Sequence, residues 1–313
     1  MSLAVEIAGL QLEHPVLNGS GTFDAIAARR AFGEAVNESF PFSAYVSKTI
    51  TPEPRAGNPP PRLYETPSGM INSIGLPNKG LAGFLEHDLP QLAKLTVPLI
   101  VSVMGTSVEE FKRLVDAVGG RSEVAALELN ISCPNVKSGL IVGEQPEEAL
   151  ALIAALRDLT TMPLICKLTP NVVDPAAVAL AAEAGGADAL SLINTVKATA
   201  IDPRSLERWL GAGSGGLSGP AIRAIALGQV AAVAAAVSIP VIGMGGIESG
   251  DDALAFVAAG ASAIAVGTAN FRDPMAGERV RRELAEMLSA RGLGGLESVR
   301  GAAMPSAAIS TST

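Results

Sequence analysis

The chain of 313 residues contains few aromatic residues, two cysteines and two histidines. Aromatic residues make up 4% of it, which leaves few of the stacking surfaces that bind single-stranded nucleic acid. Cys133 and Cys166 are too few for a disulfide framework, and such a low cysteine content is typical of a reducing compartment. His14 and His87 form no recognisable zinc motif, so no metal site is predicted.

Positive charge and long apolar runs are also lacking. The formal net charge of −8 argues against a nucleic acid or an anionic membrane as partner. The most apolar helical stretch, 220–237, contains Arg223 and Gln229 and therefore predicts a packed helix rather than a membrane span. The N-terminus has no basic segment that leads into an apolar run, so no signal peptide is expected. These features predict a cytoplasmic protein.

Eight short apolar runs recur along the chain, and a helical stretch follows each of them. The runs show no alternation of apolar and polar residues, which is typical of parallel strands covered on both faces. Eight strand–helix units predict an α/β protein, a (β/α)8 TIM barrel that forms a single domain over 1–313, with 304–313 as a frayed tail. An open doubly wound sheet is the structural alternative. The predicted strands are 15–21, 44–50, 98–105, 126–134, 164–170, 189–195, 241–246 and 263–269.

Local signals mark the helix ends, and three connections are too long for simple turns. Ser107 and Glu110 have the spacing of a capping box, in which each side chain bonds an amide of the first helical turn. Gly185 and Gly260 stand where helices should end in a left-handed residue. The long connections are 51–80, 134–146 and 196–219, and loops of this length in a compact domain are expected to be functional.

Polar side chains gather at the ends of the predicted strands, where the reactive residues of a barrel stand. Gly245-Gly246 and Gly267-Thr268 end the last two strands, and glycines there let backbone amides and a following helix N-terminus approach a phosphate. The alternative is that both pairs are only tight turns. The other strand-end residues are Lys48, Asn130, Cys133, Lys167, Asn194 and Thr195.

These residue types suit redox chemistry on a flat polar ring, although other functions stay open. Asparagine amides both donate and accept hydrogen bonds, which fits a ring such as a pyrimidine, and a lysine can stabilise the negative charge of a reduced flavin. Cys133 can act as a general base, or it can be a small buried apolar residue. The open alternatives are a flavin-free phosphate-binding isomerase or lyase, a purine-nucleotide dehydrogenase with a covalent cysteine, and a non-catalytic nucleotide-binding subunit.

Eight sequence runs in order along the chain resemble the class 1 dihydroorotate dehydrogenases, most closely the class 1B branch. NISCPN, INSIGL and GLSGPAI are the specific parts, whereas the glycine pairs would fit many barrels. The resemblance covers roughly residues 3–300. The runs are VSKTIT (46–51), GNPPPRLYETPSGMINSIGLPNKG (57–80), LELNISCPNVKSG (127–139), KLTPN (167–171), LINT (192–195), GGLSGPAI (215–222), IGMGGI (242–247) and AVGTANF (265–271).

The resemblance implies a set of site residues. Cys133 corresponds to the active-site base, and the loop from Pro134 to about Gly143 to a lid over the substrate. The implied flavin contacts are Thr22, Lys48, Thr49, Asn130, Lys167, Ile193, Gly219, Gly245, Gly246, Gly267 and Thr268. The implied dihydroorotate contacts are Lys48, Asn72, Ile74, Gly75, Leu76, Asn130, Asn135, Asn194 and Thr195.

One position departs from the pattern of the family. Class 1B enzymes usually have an asparagine where this chain has Ser102, so a cofactor contact of Ser102 is expected to be shorter or bridged by water. Elsewhere the pattern is kept.

The implied activity is the oxidation of (S)-dihydroorotate to orotate in pyrimidine (UMP) biosynthesis, with FMN as cofactor. Cys133 would take the C5 proton, and the hydride from C6 would pass to flavin N5. The resemblance also implies a homodimer that can join an FAD/[2Fe–2S] electron-transfer subunit in a heterotetramer. Two cysteines cannot hold such a cluster in this chain, since four are needed. Whether the electrons reach NAD or fumarate is left open.

Overall fold

Parallel strands dominate the computed structural model, which describes residues 2–132 and 143–304. Eight of the strands form one sheet in the order β3-β14-β13-β10-β9-β8-β7-β4, and neighbours in this sheet run parallel. Each of the eight lies within one of the predicted apolar runs, so the predicted barrel is confirmed. In chain order the strands are β1 (Val5–Ile7), β2 (Leu10–Leu12), β3 (Val16–Asn18), β4 (Tyr45–Val46), β5 (Leu63–Thr66), β6 (Gly69–Asn72), β7 (Leu99–Val103), β8 (Ala126–Asn130), β9 (Leu164–Lys167), β10 (Ala189–Leu192), β11 (Val196–Ala198), β12 (Gly215–Ser218), β13 (Val241–Met244) and β14 (Ala263–Val266).

The barrel closes between β3 and β4 without a regular backbone ladder. The Ser43 amide donates to the Val16 carbonyl at 3.0 Å at the lower end of this seam. Higher up, the fully buried Asn18 side chain takes the place of a strand: its Nδ2 donates to the Val46 carbonyl and its Oδ1 accepts from the Val46 amide, both at 2.8 Å. One amide side chain thus satisfies both backbone groups of a strand residue that would otherwise be buried without partners.

Alternate residues of each barrel strand face the interior and the helices, as the period of two requires. In β9, Ile165 belongs to the interior cluster, whereas Cys166 packs in the layer between the strands and the helices. Burial raises the pKa of the Cys166 thiol. The hairpin of β1 and β2 places Ile7 and Leu12 in the interior cluster and so covers the lower end of the barrel.

Helices follow the barrel strands and surround them. Short 3-10 segments occur at Pro220–Ile222, Thr268–Phe271 and Leu296–Ser298, and a π-helical turn occurs at Phe84–Asp88. Within the described ranges, no helix is long and apolar enough to cross a membrane. The α-helices are α1 (Ala25–Phe32), α2 (Ala35–Glu38), α3 (Gly80–Gly83), α4 (Leu89–Leu92), α5 (Val108–Val118), α6 (Pro146–Arg157), α7 (Pro175–Ala184), α8 (Arg223–Ala236), α9 (Gly250–Ala258) and α10 (Ala276–Ala290).

Two of the predicted helix ends differ in detail. Ser107 caps α5 by accepting from the Glu110 amide, but the Glu110 carboxylate bonds Thr106 rather than Ser107, so only half of the predicted capping box forms. The left-handed residue after α7 is Gly186, with a φ of 97°, because Gly185 keeps a helical conformation with a φ of −74°. Gly260 has the predicted left-handed conformation, with a φ of 104°.

Two of the three long connections pair with each other in a second sheet. The connection 51–80 supplies β5 and β6, and 196–219 supplies β11 and β12, in the antiparallel order β11-β12-β6-β5. Leu63, Met70 and Asn72 of this sheet lie at the cleft described below. The connections thus form a wall above the carboxyl ends of the barrel strands. The third connection, 134–146, lies mostly outside the described residues.

Candidate active site

A cleft of about 420 Å³ opens at the carboxyl ends of the barrel strands. Strand ends form its floor, and the four-stranded sheet forms one wall. Most of the predicted site residues meet there although they are spread from residue 22 to residue 268 of the chain. The predicted residues that line the cleft are Thr22, Lys48, Thr49, Asn72, Ile74, Gly75, Leu76, Asn130, Lys167, Ile193, Asn194, Thr195, Gly219, Gly245, Gly246, Gly267 and Thr268.

Among the described residues, Ser102 is the one predicted site residue that does not line the cleft. Ser102 is fully buried behind it, where its hydroxyl contacts Thr49 and Glu128. The structure therefore gives Ser102 no direct path to a ligand in the cleft, because Thr49 stands between them. Cys133 and Asn135 lie outside the described residues, as does nearly all of the predicted lid from 134 to 143.

The cleft has a positive electrostatic character. Lys48 and Lys167 are the charged side chains among the described residues that line it, and none of those residues is acidic. The Lys167 side chain is 8% exposed, and its ammonium lies 3.8 Å from the carboxylate of Glu128 in the layer below. A cleft with this lining favours an anionic ligand, such as one that carries a phosphate or a carboxylate.

The asparagine side chains at the cleft are oriented by hydrogen bonds to two hydroxyl groups and one backbone carbonyl. The Asn130 Nδ2 donates to Thr49 at 3.2 Å, and its Oδ1 accepts from the Ser132 hydroxyl at 3.0 Å. The Asn194 Nδ2 donates to the same Ser132 hydroxyl at 2.9 Å. On the opposite wall, the Asn72 Nδ2 donates to the Gly216 carbonyl at 3.4 Å. Amides held in this way present fixed donors and acceptors to a flat polar ligand.

Backbone turns form the end of the cleft near Gly246. Gly245 and Gly246 have φ values of 130° and 77°, which an alanine would rarely adopt. Gly267 has open space on its side-chain side, since a Cβ there would meet only the Thr22 methyl group at 3.8 Å. An atom of a ligand can therefore take the position that a Cβ would occupy and lie directly against the backbone of Gly267.

The helix after β13 contributes less to this end of the cleft than the sequence predicts. Ser249 and Asp252 form a capping box at the start of α9, and Asp252 also accepts from the Glu248 amide. The Gly250 amide donates to the carboxylate of Glu283. Because these amides already have carboxylate or hydroxyl partners, the turns themselves are the available backbone donors.

Sequence reasoning missed several residues that line the cleft. Gly19, Ser20 and Gly21 follow β3 in a run of small residues, NGSGT, whose composition alone could have indicated a turn at the site. The apolar lining has no such signal, because its members depend on which segments the fold brings to the mouth of the barrel. They include Leu63, Met70, Met244, Ala265 and Phe271.

Comparison with known proteins gives one consistent result. The family model described as dihydroorotate dehydrogenase matches residues 2–288. The chain belongs to the dihydroorotate dehydrogenase family. Members of this family are flavin-dependent oxidoreductases that oxidise dihydroorotate to orotate in pyrimidine biosynthesis, and the same activity is assigned to this chain.

Several individual proteins of this family are similar to the chain over nearly its full length. The dihydroorotate dehydrogenase B (NAD(+)) catalytic subunit of Desulforudis audaxviator is 48% identical, over 96% of this chain and 97% of that protein. The proteins of the same name from Geobacter metallireducens and Listeria monocytogenes are 46% and 42% identical, over 96% and 95% of this chain and 97% of each relative. The crystal structure of the Eimeria tenella enzyme in complex with ferulenol superposes with a TM-score of 0.78 at 25% identity, over 96% of this chain and 88% of that one.

Proposed function

We propose that the flavin of this dihydroorotate dehydrogenase is FMN, held in the cleft with its phosphate at the turns of Gly245-Gly246 and Gly267-Thr268. The donor set supports this proposal. The turns offer backbone amides, and none of the described residues that line the cleft carries a carboxylate. The missing side chain of Gly267 leaves room for a phosphate against the backbone. When bound, FMN supplies the acceptor for the hydrogen that leaves C6 of the substrate.

Lys167 and Lys48 are the residues we assign to the charges of the bound molecules. Lys167 rises from the floor of the cleft in β9, where its ammonium can stabilise the negative charge that a flavin gains on reduction. Lys48 follows β4 and can pair with the carboxylate of dihydroorotate. Lys48 also belongs to the proposed cofactor contacts, and the remaining ones are Thr22, Thr49, Asn130, Ile193 and Gly219. Ser102 supports Thr49 from behind.

The amide side chains at the mouth of the cleft are the proposed substrate contacts. Asn72, Asn130 and Asn194 can each donate to and accept from the ring of dihydroorotate, and Thr195 with the backbone of 74–76 borders the same space. Asn135 is proposed as a further contact from the sequence alone. A ring bordered by fixed amides on several sides is held in one orientation, and we propose that C5 then faces Cys133.

Cys133 is the proposed general base, and this assignment comes from the sequence. Its thiolate would accept the proton from C5 while the C5–C6 double bond forms. A free cysteine with an ordinary pKa is only a few per cent thiolate at neutral pH, so the reaction should become faster as the pH rises toward about 8.5. The lid from 134 to about 143 is proposed to exclude water from the site during this step.

The electron acceptor beyond the flavin is proposed from the relatives. Proteins named as the NAD(+)-linked catalytic subunit are 41–48% identical to this chain, so we infer a catalytic subunit that passes electrons to NAD through a partner. The partner is proposed to carry FAD and a [2Fe–2S] cluster and to join a homodimer of this chain in a heterotetramer. A cytoplasmic location stays a prediction from the composition.

Anaerobic reduction of the purified protein tests the proposed function. The yellow protein should contain FMN, released on denaturation and identified by its mass, and dihydroorotate should bleach the flavin absorption with the formation of one orotate per flavin. A colourless protein that neither binds added FMN nor forms orotate would favour the flavin-free isomerase or lyase, or the non-catalytic subunit. Flavin that is present but not bleached by dihydroorotate would refute the substrate.

A further inference from the structure

Glu128 is a buried carboxylate that has no part in the proposed reaction. It lies in the middle of β8, one interior layer below Asn130, and is 3% exposed. It does not line the cleft. An ionised carboxylate in such a position is costly unless it is paired and hydrogen-bonded, so its partners indicate why it is there.

Two hydroxyl groups and one ammonium surround the Glu128 carboxylate. The Ser102 hydroxyl donates to Oε1 and the Ser191 hydroxyl donates to Oε2, both at 3.1 Å. The Lys167 Nζ lies 3.8 Å from Oε1. Both oxygens of the Glu128 side chain thus accept hydrogen bonds, and the Lys167 ammonium is the positive group beside them.

The ammonium of Lys167 is held by charge rather than by a hydrogen bond. At 3.8 Å its Nζ is beyond hydrogen-bond distance of Oε1, and it makes no hydrogen bond to another residue in the part of the chain that the structure describes. Because no described residue accepts its N–H groups, these can serve a ligand in the cleft that Lys167 lines. Glu128 fixes where this charge stands without occupying its donors.

A chain of hydrogen bonds also runs from the cleft to Glu128. The single hydroxyl hydrogen of Ser102 goes to the carboxylate, so the contact of 2.9 Å between Thr49 and Ser102 is donated by Thr49. Thr49 in turn accepts from the Asn130 amide at 3.2 Å. Because a carboxylate can only accept, it determines the direction of each hydrogen bond in this series. The Asn130 side chain must therefore turn its Nδ2, and not its Oδ1, toward Thr49.

We propose that Glu128 is a positioning residue: it anchors the Lys167 ammonium at the floor of the cleft, and it lowers the reduction potential of the bound flavin by opposing the charge of Lys167. The proposal rests on the proposed binding of FMN in this cleft. Lys167 alone would favour the negative charge that reduction adds to a flavin. The carboxylate 3.8 Å from that ammonium offsets part of this effect, because interactions between buried charges are weakly screened.

Glu128→Gln tests the proposal, because it removes the charge and keeps the size of the side chain. The midpoint potential of the bound FMN is measured by anaerobic reduction against a reference dye, for the wild type and each variant. We expect Glu128→Gln to raise the midpoint potential. The ratio of reduced to oxidised flavin at a given solution potential should be at least tenfold larger, which corresponds to a shift of about 30 mV for a two-electron couple. Lys167→Ala should lower the potential.

Cys166→Ala is the matched control, since Cys166 adjoins Lys167 in β9 but packs toward the helices and carries no charge. Its potential should equal that of the wild type. An unchanged potential in Glu128→Gln, with FMN bound, overturns the proposal, and so does a shift of the same size in Cys166→Ala. If the wild type itself holds no FMN, the proposed function is wrong instead, so the two failures are distinguishable.

Ser191→Ala provides the test if Glu128→Gln does not fold. Loss of the hydrogen bond to Oε2 leaves more of the negative charge of Glu128 unbalanced, so the potential should move in the negative direction, opposite to Glu128→Gln. A potential equal to that of the wild type in this variant would also count against the proposal.

Discussion

The seam between β3 and β4 leads to a prediction about the stability of the barrel. Asn18→Ala removes the side chain that donates to the Val46 carbonyl and accepts from the Val46 amide, both at 2.8 Å. Asn18 is fully buried and Val46 is 4% exposed, so water does not readily replace the lost partners. The variant leaves both backbone groups of Val46 unsatisfied.

The size of the effect follows from those two groups. A buried polar group left without a partner costs about 1–3 kcal/mol, so the two groups of Val46 together cost about 2–6 kcal/mol of the free energy of unfolding. A domain has about 5–15 kcal/mol in total, so a large part of its stability is at risk. The turn of Gly19 to Thr22 follows the seam directly and lines the cleft, so retention of FMN should weaken as well.

Urea unfolding and hydrogen exchange followed by mass spectrometry measure the two parts of this prediction. The peptide that contains Val46 should exchange at least about tenfold faster in Asn18→Ala, since 1.4 kcal/mol corresponds to a factor of ten. Gln11→Ala is the control, because that amide side chain is exposed on β2, where it donates to the Glu6 carboxylate, and its loss should cost less than about 0.5 kcal/mol. If Asn18→Ala changes neither the amide exchange rate at Val46 nor the free energy of unfolding by more than this control does, the Asn18 side chain does not stabilise the contact between β3 and β4.

Three further predictions concern the base, the phosphate turns and pH. Cys133→Ser should keep its flavin but reduce it more slowly at neutral pH, because a hydroxyl is a poorer proton acceptor than a thiol. The rate of flavin reduction, measured by stopped flow, should recover toward high pH. A rate equal to that of the wild type at neutral pH would refute the assignment of Cys133 as the base. Gly246→Ala should lose FMN on dialysis, because its Cβ would stand 2.8 Å from the Gly219 carbonyl oxygen of the neighbouring turn. Gly228→Ala is the control, since position 228 is exposed on α8 and a Cβ there meets nothing within 4 Å. This variant should retain FMN and gain about 1 kcal/mol of stability. Burial, and then the charge of Arg281, lowers the pKa of His14 from 6.5 to about 4. The folded protein therefore binds fewer protons than the unfolded one, and stability should fall as the pH drops from 6.5 to 4, by roughly 3 kcal/mol at most. In His14→Gln the urea midpoint should depend less on pH over that range than in the wild type. An equal dependence on pH in both proteins would contradict the assignment.

The strands and most of the cleft could be predicted from the sequence because their signals are local. A parallel strand covered on both faces needs a run of apolar residues, and each run marks its own strand and the position of its carboxyl end. Lys48, Asn130, Lys167 and Asn194 follow from those ends, since every carboxyl end of a closed parallel barrel points to the same side. The sequence resemblance added their assignment to cofactor and substrate.

Tertiary structure alone decided which of these residues touch each other. The pairing of 51–80 with 196–219 in one sheet, the seam at Asn18 and Val46, and the carboxyl of Glu128 between Ser102 and Ser191 join residues 26 to more than 100 positions apart. In the sequence Glu128 is one polar residue inside an apolar strand, LELN. Its sequence neighbours do not show whether its side chain lies near the site or at the surface. Hydrophobic patterning reports burial, which each residue experiences separately, whereas a hydrogen bond or an ion pair requires two residues that only the closed barrel brings within reach.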